Sequence, residues 1–136
     1  MKILAIDFGE RRIGLAVGTS EMKMAFPREG IDTKEVSPIP YLKDLISSEK
    51  IEQIVMGMPK SEDGKKHPKA KPIKSFAWEI KEATGLGVTY QDESFSTVKA
   101  KEKTAHLSKK TKQLEKKRLD SAAAAVFLQE FLEENF

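Results

Sequence analysis

Cysteine is absent from the chain, which excludes disulfides and thiolate-held zinc. Histidine is scarce: His67 and His106 both lie in lysine-rich polar stretches, a poor setting for an imidazole-built metal site. Any bound metal is left with oxygen ligands, the preference of Mg2+ or Mn2+. Long hydrophobic runs are missing too. The longest, Ala122 to Leu128, is far short of the roughly 20 residues a membrane span needs. The N-terminus enters a strand pattern at once, with no cleavage-site pattern behind it. No Gly-Lys-Ser/Thr motif of a phosphate loop is present. The expectation is a soluble, cytoplasmic protein with no membrane partner.

What is present is charge and a moderate apolar fraction. The 136 residues are 39% hydrophobic and 33% charged, a globular composition with an ionic surface. The length suits one domain over residues 1–136, large enough to bury roughly 70% of the surface its unfolded chain exposes. The net charge of +3 hides an uneven distribution. Residues 99–118, "KAKEKTAHLSKKTKQLEKKR", carry nine basic and two acidic residues, and residues 60–81 carry seven and three. Residues 119–136 hold four acids and no Lys or Arg. Such concentrated positive charge suits a polyanion. On charge alone a merely solvated lysine-rich face fits equally well.

The pattern of residues predicts an α/β fold. Lys2–Phe8 and Ile13–Thr19 read as a hairpin around a tight Glu10-Arg11-Arg12 tip. A third, weaker strand is expected near Arg28–Asp32. Helical spacing of Leu42, Leu45, Ile46 and Ile51 follows Pro38 and Pro40. "QIVMGMP" reads as a buried strand, 60–72 as a polar loop and about 73–84 as a helix ended by Gly85. "VTYQDE" is a further strand, and 95–107 a further helix. The lysine-rich stretch after Ser108 reads as a loop or frayed helix, and Leu119–Leu132 as the last helix. The order β-β-β-α-β-α-β-α-α predicts a mixed sheet of about five strands flanked by helices. Its first three strands are antiparallel, its first strand is central, and parallel βα units follow.

In open sheets of this kind, sites lie beyond the carboxyl ends of the parallel strands. Asp7 ends the first strand, and Asp92 and Glu93 end the last. Asp120 opens the terminal helix, whose Ala123, Ala124, Phe127 and Phe131 form the packing face. Three or four carboxylates on one edge repel one another, and divalent cations remove that penalty. Two ions about 3.5–4 Å apart clamp a phosphodiester for in-line attack by water. Each acid also has a plain structural reading: Asp7 as a turn cap, Asp92 or Glu93 as a strand-end polar residue, Asp120 as a helix N-cap. Ala123 at the capping-box position weakens the last of these.

The segments "AIDFGERRIGLAVG", "IVMGMPKSEDG", "QDESFST" and "LDSAAAAVFLQEFL", in this order and spacing, resemble the YqgF family. These are bacterial proteins described as Holliday-junction-resolvase-like or as nucleases for precursor small-subunit ribosomal RNA. The resemblance covers about residues 2–132. It implies a ribonuclease H-like fold and a metal-binding catalytic set of Asp7, Glu93 and Asp120, with Asp92 beside it and Mg2+ or Mn2+ as cofactor. It also implies a hydroxyl pair, Ser96-Thr97, near the site. Two positions depart from the family pattern. Phe8 stands where Pro is usual, and Ser94 stands where the family has an Arg able to grip phosphate bidentately. Arg11, Arg12 or Lys60 is left to supply that charge.

The resulting expectation is a metal-dependent nuclease processing the 5′ end of precursor 16S ribosomal RNA, acting on structured RNA as a monomer or weak homodimer. Lys109, Lys110, Lys112, Lys116, Lys117 and Arg118 would track phosphates without reading sequence. One alternative is a dimeric resolvase of branched DNA. Another is a non-catalytic RNA-binding module of the same fold. A nucleotide-binding domain of the actin and sugar-kinase type would need a second domain that 136 residues do not allow.

Overall fold

A computed structural model of the chain describes residues 1–59, 67–92 and 109–136, with side chains described in 1–59, 67–92 and 121–136. The expectations for Lys60, Glu93, Ser94, Ser96, Thr97 and a helix over 95–107 lie outside the described residues, as do the side chains of 109–120.

Five strands form one sheet in the order β3-β2-β1-β4-β5. The central strand β1 (Lys2–Asp7) has four consecutive fully buried residues, Ile3 to Ile6. This is the continuous apolar run of a strand covered on both faces. It pairs antiparallel with β2 (Arg12–Thr19) and parallel with β4 (Gln53–Met58). The edges are β3 (Met24–Asp32), antiparallel to β2, and β5 (Val88–Asp92), parallel to β4. The expected central first strand and mixed sheet are both present.

Alternation along β1 divides the core in two. Leu4 and Ile6 face helices α1 (Pro38–Ser48) and α2 (Ala70–Thr84), which contribute Leu42, Ile46, Ile73, Phe76, Ala77 and Ile80. Ile3 and Ala5 face the long helix α3 (Lys109–Asn135), through Ala124, Phe127, Leu128, Phe131 and Leu132. Small residues on this second face let α3 settle close to the sheet. A Cβ on Gly18 would lie 2.7 Å from the Met24 carbonyl oxygen, 3.0 Å from Leu132 Cδ1 and 3.3 Å from Leu128 Cδ2.

Several boundaries differ from the sequence reading, among them α2, which starts at Ala70 inside the expected loop. Strand β3 begins four residues early, because Pro27 occurs on an edge strand, where a missing N–H costs no ladder bond. Helix α1 contains Pro38 and Pro40 in its first turn, where N–H groups have no intrahelical partner. The lysine-rich stretch after Ser108 is part of α3, which is one continuous helix of 27 residues.

Candidate active site

The carboxyl ends of β1, β4 and β5 share one edge of the sheet. Asp7 closes β1 half-buried. In β5, Asp92 pairs across to Met58 of β4. The two acids do not share a face, however. Asp7 continues the Ile3 and Ala5 series that looks toward α3. Asp92 continues the Val88 series on the α1 and α2 side, while Gln91 bonds Glu134 of α3 at 3.2 Å. The pleat turns Asp92 from the side on which Asp7 lies. Beside it in the Val88 series, burial pushes the Tyr90 phenol above its ordinary value.

After Asp7 the chain turns back through Phe8, Gly9, Glu10 and Arg11. Gly9 is required sterically: a Cβ there would stand 2.5 Å from the Arg12 carbonyl oxygen. The tip is tied by Thr33, the residue that follows β3. Thr33 Oγ1 donates to the carbonyls of Glu10 (2.8 Å) and Arg11 (3.0 Å), and the Thr33 N–H donates to the Arg11 carbonyl at 2.8 Å. Arg11 keeps its side chain 56% exposed, with Asp32 its nearest carboxylate contact among the described residues, at 3.8 Å. Arg12 is also exposed. The turn thus holds two arginines outward on a fixed backbone, one strand end from Asp7. On its other flank a cleft of about 400 Å3 is lined by Phe8, Gly9, Glu10, Lys69, Pro72 and Ile73. The Phe8 ring packs on Phe76 at 4.6 Å.

The approach of α3 to this edge is set by Ser121. It is the one buried polar residue among the described residues, at 0% exposure. Its Oγ accepts the Leu15 N–H at 3.2 Å. Leu15 lies opposite Ile6, beside a register shift where β3 bulges against β2. Further along, Gln129 brackets the start of β3, accepting from Ala25 N–H (3.0 Å) and donating to the Lys23 carbonyl (2.8 Å). Helix α3 therefore runs from the Asp7 edge toward the opposite one. Asp120 precedes the Ser121 tether by one residue. It lies eleven residues inside the helix, so the N-cap alternative is removed. Sequence reasoning missed Ser121 and Thr33. The signal for Ser121 was its helical register with Ala124 and Leu128, a lone hydroxyl on an apolar stripe.

Among the described residues no three His, Asp or Glu side chains converge as a metal site. No helix among them is long and apolar enough to cross a membrane.

A family model described as "RuvX: Holliday junction resolvase" matches residues 1–134. The chain belongs to the RuvX family. Similar proteins named "Putative pre-16S rRNA nuclease" agree with that membership. The one from Rhodopirellula baltica is 37% identical over 134 residues, covering 97% of this chain and 76% of its own length. The one from Maridesulfovibrio salexigens is 33% identical over 135 residues, covering 97% and 98%. Among solved structures, T. thermophilus RuvC in complex with a Holliday junction substrate matches with a TM-score of 0.56 at 15% identity, over 98% of this chain and 94% of that one. The fowlpox virus Holliday junction resolvase gives 0.54 at 13%, over 98% and 99%. At these identities the likeness is one of fold, and the RuvX chain has the ribonuclease H-like fold that the family resemblance implied, in agreement with its strand order.

Proposed function

We propose that this RuvX-family chain is a metal-dependent nuclease that hydrolyses phosphodiester bonds in precursor 16S ribosomal RNA, working in the cytoplasm as a single-domain protein. The observation that carries the reading is Asp7, half-buried at the carboxyl end of the central strand, on the face covered by α3 and beside the Ser121–Leu15 tether. Asp7, Glu93 and Asp120 are the residues assigned to hold Mg2+ or Mn2+. Their donor chemistry fits, because an all-carboxylate set supplies the hard oxygens these ions take. When bound, such ions supply Lewis-acid stabilisation of the charge that develops on the scissile phosphate and its leaving oxygen.

The remaining work falls to the chain's own groups. Arg11 and Arg12, held outward by the Thr33 bonds, bind flanking phosphates and orient the backbone. Ser94 cannot replace a bidentate arginine, so these two carry that load with Lys60. The basic run from Lys109 to Arg118 opens α3 with no acid in its first turn, and the helix ends with no base in its last. This opposes the helix dipole, which favours anions at the N-terminus and cations at the C-terminus. A polyanion lying along the run offsets that cost. Recognition through phosphates reads shape rather than sequence and suits structured RNA.

A second reading rests on the family description: a resolvase acting on four-way DNA as a dimer, with two sites cutting symmetric strands. One assay separates the two. Purified protein with Mg2+ or Mn2+ is given precursor ribosomal RNA, four-way junction DNA and linear controls, with Asp7→Asn alongside. The expected result is metal-dependent RNA cleavage that falls at least about a hundredfold in Asp7→Asn, the scale of losing one charge-stabilising group. Cleavage that survives in the variant overturns the site. Symmetric nicking of junction DNA by a stable dimer, with RNA untouched, establishes the second reading instead.

A further inference from the structure

The face of α2 turned away from the core carries a feature that the nuclease site does not use. Ile73, Phe76, Ala77 and Ile80 bury one side of the helix. On the other, Lys71, Lys74, Ser75 and Trp78 stand at i, i+3, i+4 and i+7, a single stripe along the helix. With His67 and Glu79 they line an open groove of about 710 Å3. Trp78 is 63% exposed, the most exposed aromatic side chain among the described residues, and none of their other rings stacks on it. Tryptophan is ordinarily a highly buried residue, so this placement leaves a large apolar plane in water. Between residues 67 and 84, four lysines oppose two glutamates.

We propose that the Trp78 face of α2 is a stacking platform for unpaired nucleotides of the nucleic-acid substrate. An indole plane offers its face to any base, and flanking lysine heads reach the neighbouring phosphates. Single-strand binding sites combine these two elements without sequence preference. A protein partner would be expected to exploit an apolar patch, whereas here Lys71 and Lys74 outweigh Glu79 around the ring, and that net positive charge complements a polyanion. A duplex keeps its base faces stacked inside, so the occupant is an unpaired segment.

This inference rests on the nucleic-acid reading given above and extends it. Helix α2 links the platform to the strand ends. Its first residues line the cleft beside Phe8 and Gly9, and its Phe76 packs on Phe8, the neighbour of Asp7. Trp78 lies nine residues beyond Lys69, about 13.5 Å along the helix axis at 1.5 Å per residue. At roughly 3.4 Å per stacked nucleotide, the platform holds bases about four nucleotides from the Lys69 end of that cleft and about two from its Ile73 end. The substrate class becomes RNA with a single-stranded flank next to the cut.

Trp78 is the only tryptophan in the chain, so intrinsic fluorescence reports on this site alone. The probe is a ten-nucleotide oligoadenylate RNA, titrated into full-length Asp7→Asn protein with chelator present, so that binding is read without cleavage. Saturable quenching is expected, with little from a blunt RNA duplex of equal length. By filter binding, Trp78→Ala weakens the single strand about tenfold, the size of one base stack, and leaves duplex affinity unchanged. Trp78→Phe retains most of the single-strand affinity. The thermal midpoint of each variant, measured by circular dichroism, stays at that of the parent because the ring is exposed. Oligonucleotide binding without quenching, or unchanged affinity in Trp78→Ala, overturns the platform. So does a blue-shifted emission that depends on protein concentration and ignores RNA, which assigns the face to a second copy of the chain. Quenching with no cleavage in the nuclease assay would sink the enzymatic reading and leave the platform standing.

Discussion

Ser121→Ala tests how α3 is fastened at the candidate site. The hydroxyl is fully buried and its Oγ takes the Leu15 N–H at 3.2 Å, across 106 residues of sequence. Alanine removes the acceptor and leaves the rest of the stripe in place. The stranded amide then loses a partner in a place water does not reach, at a cost of about 1–3 kcal/mol. Alanine is the better helix former, which returns about 0.5 kcal/mol. The net expectation is a loss of about 1.5 kcal/mol. A domain of this size shifts its midpoint by about 2–4 °C per kcal/mol, so Tm falls by about 3–6 °C. Native-state amide exchange supplies the local readout: the Leu15 N–H exchanges faster in the variant, beyond what the global change explains. A Tm within one degree of the parent, together with an unchanged Leu15 exchange rate, refutes the tether.

Gly18→Ala drives a methyl against the Met24 carbonyl oxygen at 2.7 Å, where the obstacle is backbone, and against Leu128 and Leu132. A loss of about 1–3 kcal/mol is expected, read as a lower urea midpoint with an unchanged slope. Phe127→Ala empties a fully buried site between α3 and the sheet, and should cost about 3–5 kcal/mol in the same measurement. Arg11→Ala and Arg12→Ala should each weaken RNA binding uniformly across sequences and flatten the dependence of log K on log salt by about one. The Glu21 carboxyl is hydrogen-bonded by the N-terminal ammonium group, which holds its pKa below the ordinary 4.5. Titration by nuclear magnetic resonance should find it low and returning toward the ordinary value when the N-terminus is acetylated. The stabilising effect is present above the ordinary pKa and is lost as pH falls through the lowered one. Full exposure keeps it small.

Much of the architecture was legible in the chain because it is written in local chemistry. Apolar runs at 3–6 and 54–56, the Gly9 turn, the Gly85 stop and the apolar stripe of the last helix each identify an element from a few neighbours. Errors fell where local rules meet tertiary context. The sequence pattern starts the third strand only near Arg28, whereas it runs through Pro27 back to Met24 because it is an edge. The same pattern places Pro38 and Pro40 ahead of the helix, whereas they form its first turn. The basic stretch after Ser108 lacked an apolar stripe, yet it continues α3.

The candidate site divides in the same way. By itself the sequence determined which residue types stand at strand ends, and that Asp7 is followed by a glycine turn bearing two arginines. Only the tertiary structure decided which faces Asp7 and Asp92 take. Pleating turns Asp92 to the α1 and α2 side and leaves Asp7 on the α3 side, because neighbouring positions on a strand point oppositely and the register between strands is fixed by the whole sheet. It also decided that a serine 106 residues from Leu15 closes the gap beside a strand bulge. Such a bond satisfies a buried amide that no nearby residue could reach, and long-range satisfaction of that kind leaves no local mark in a sequence.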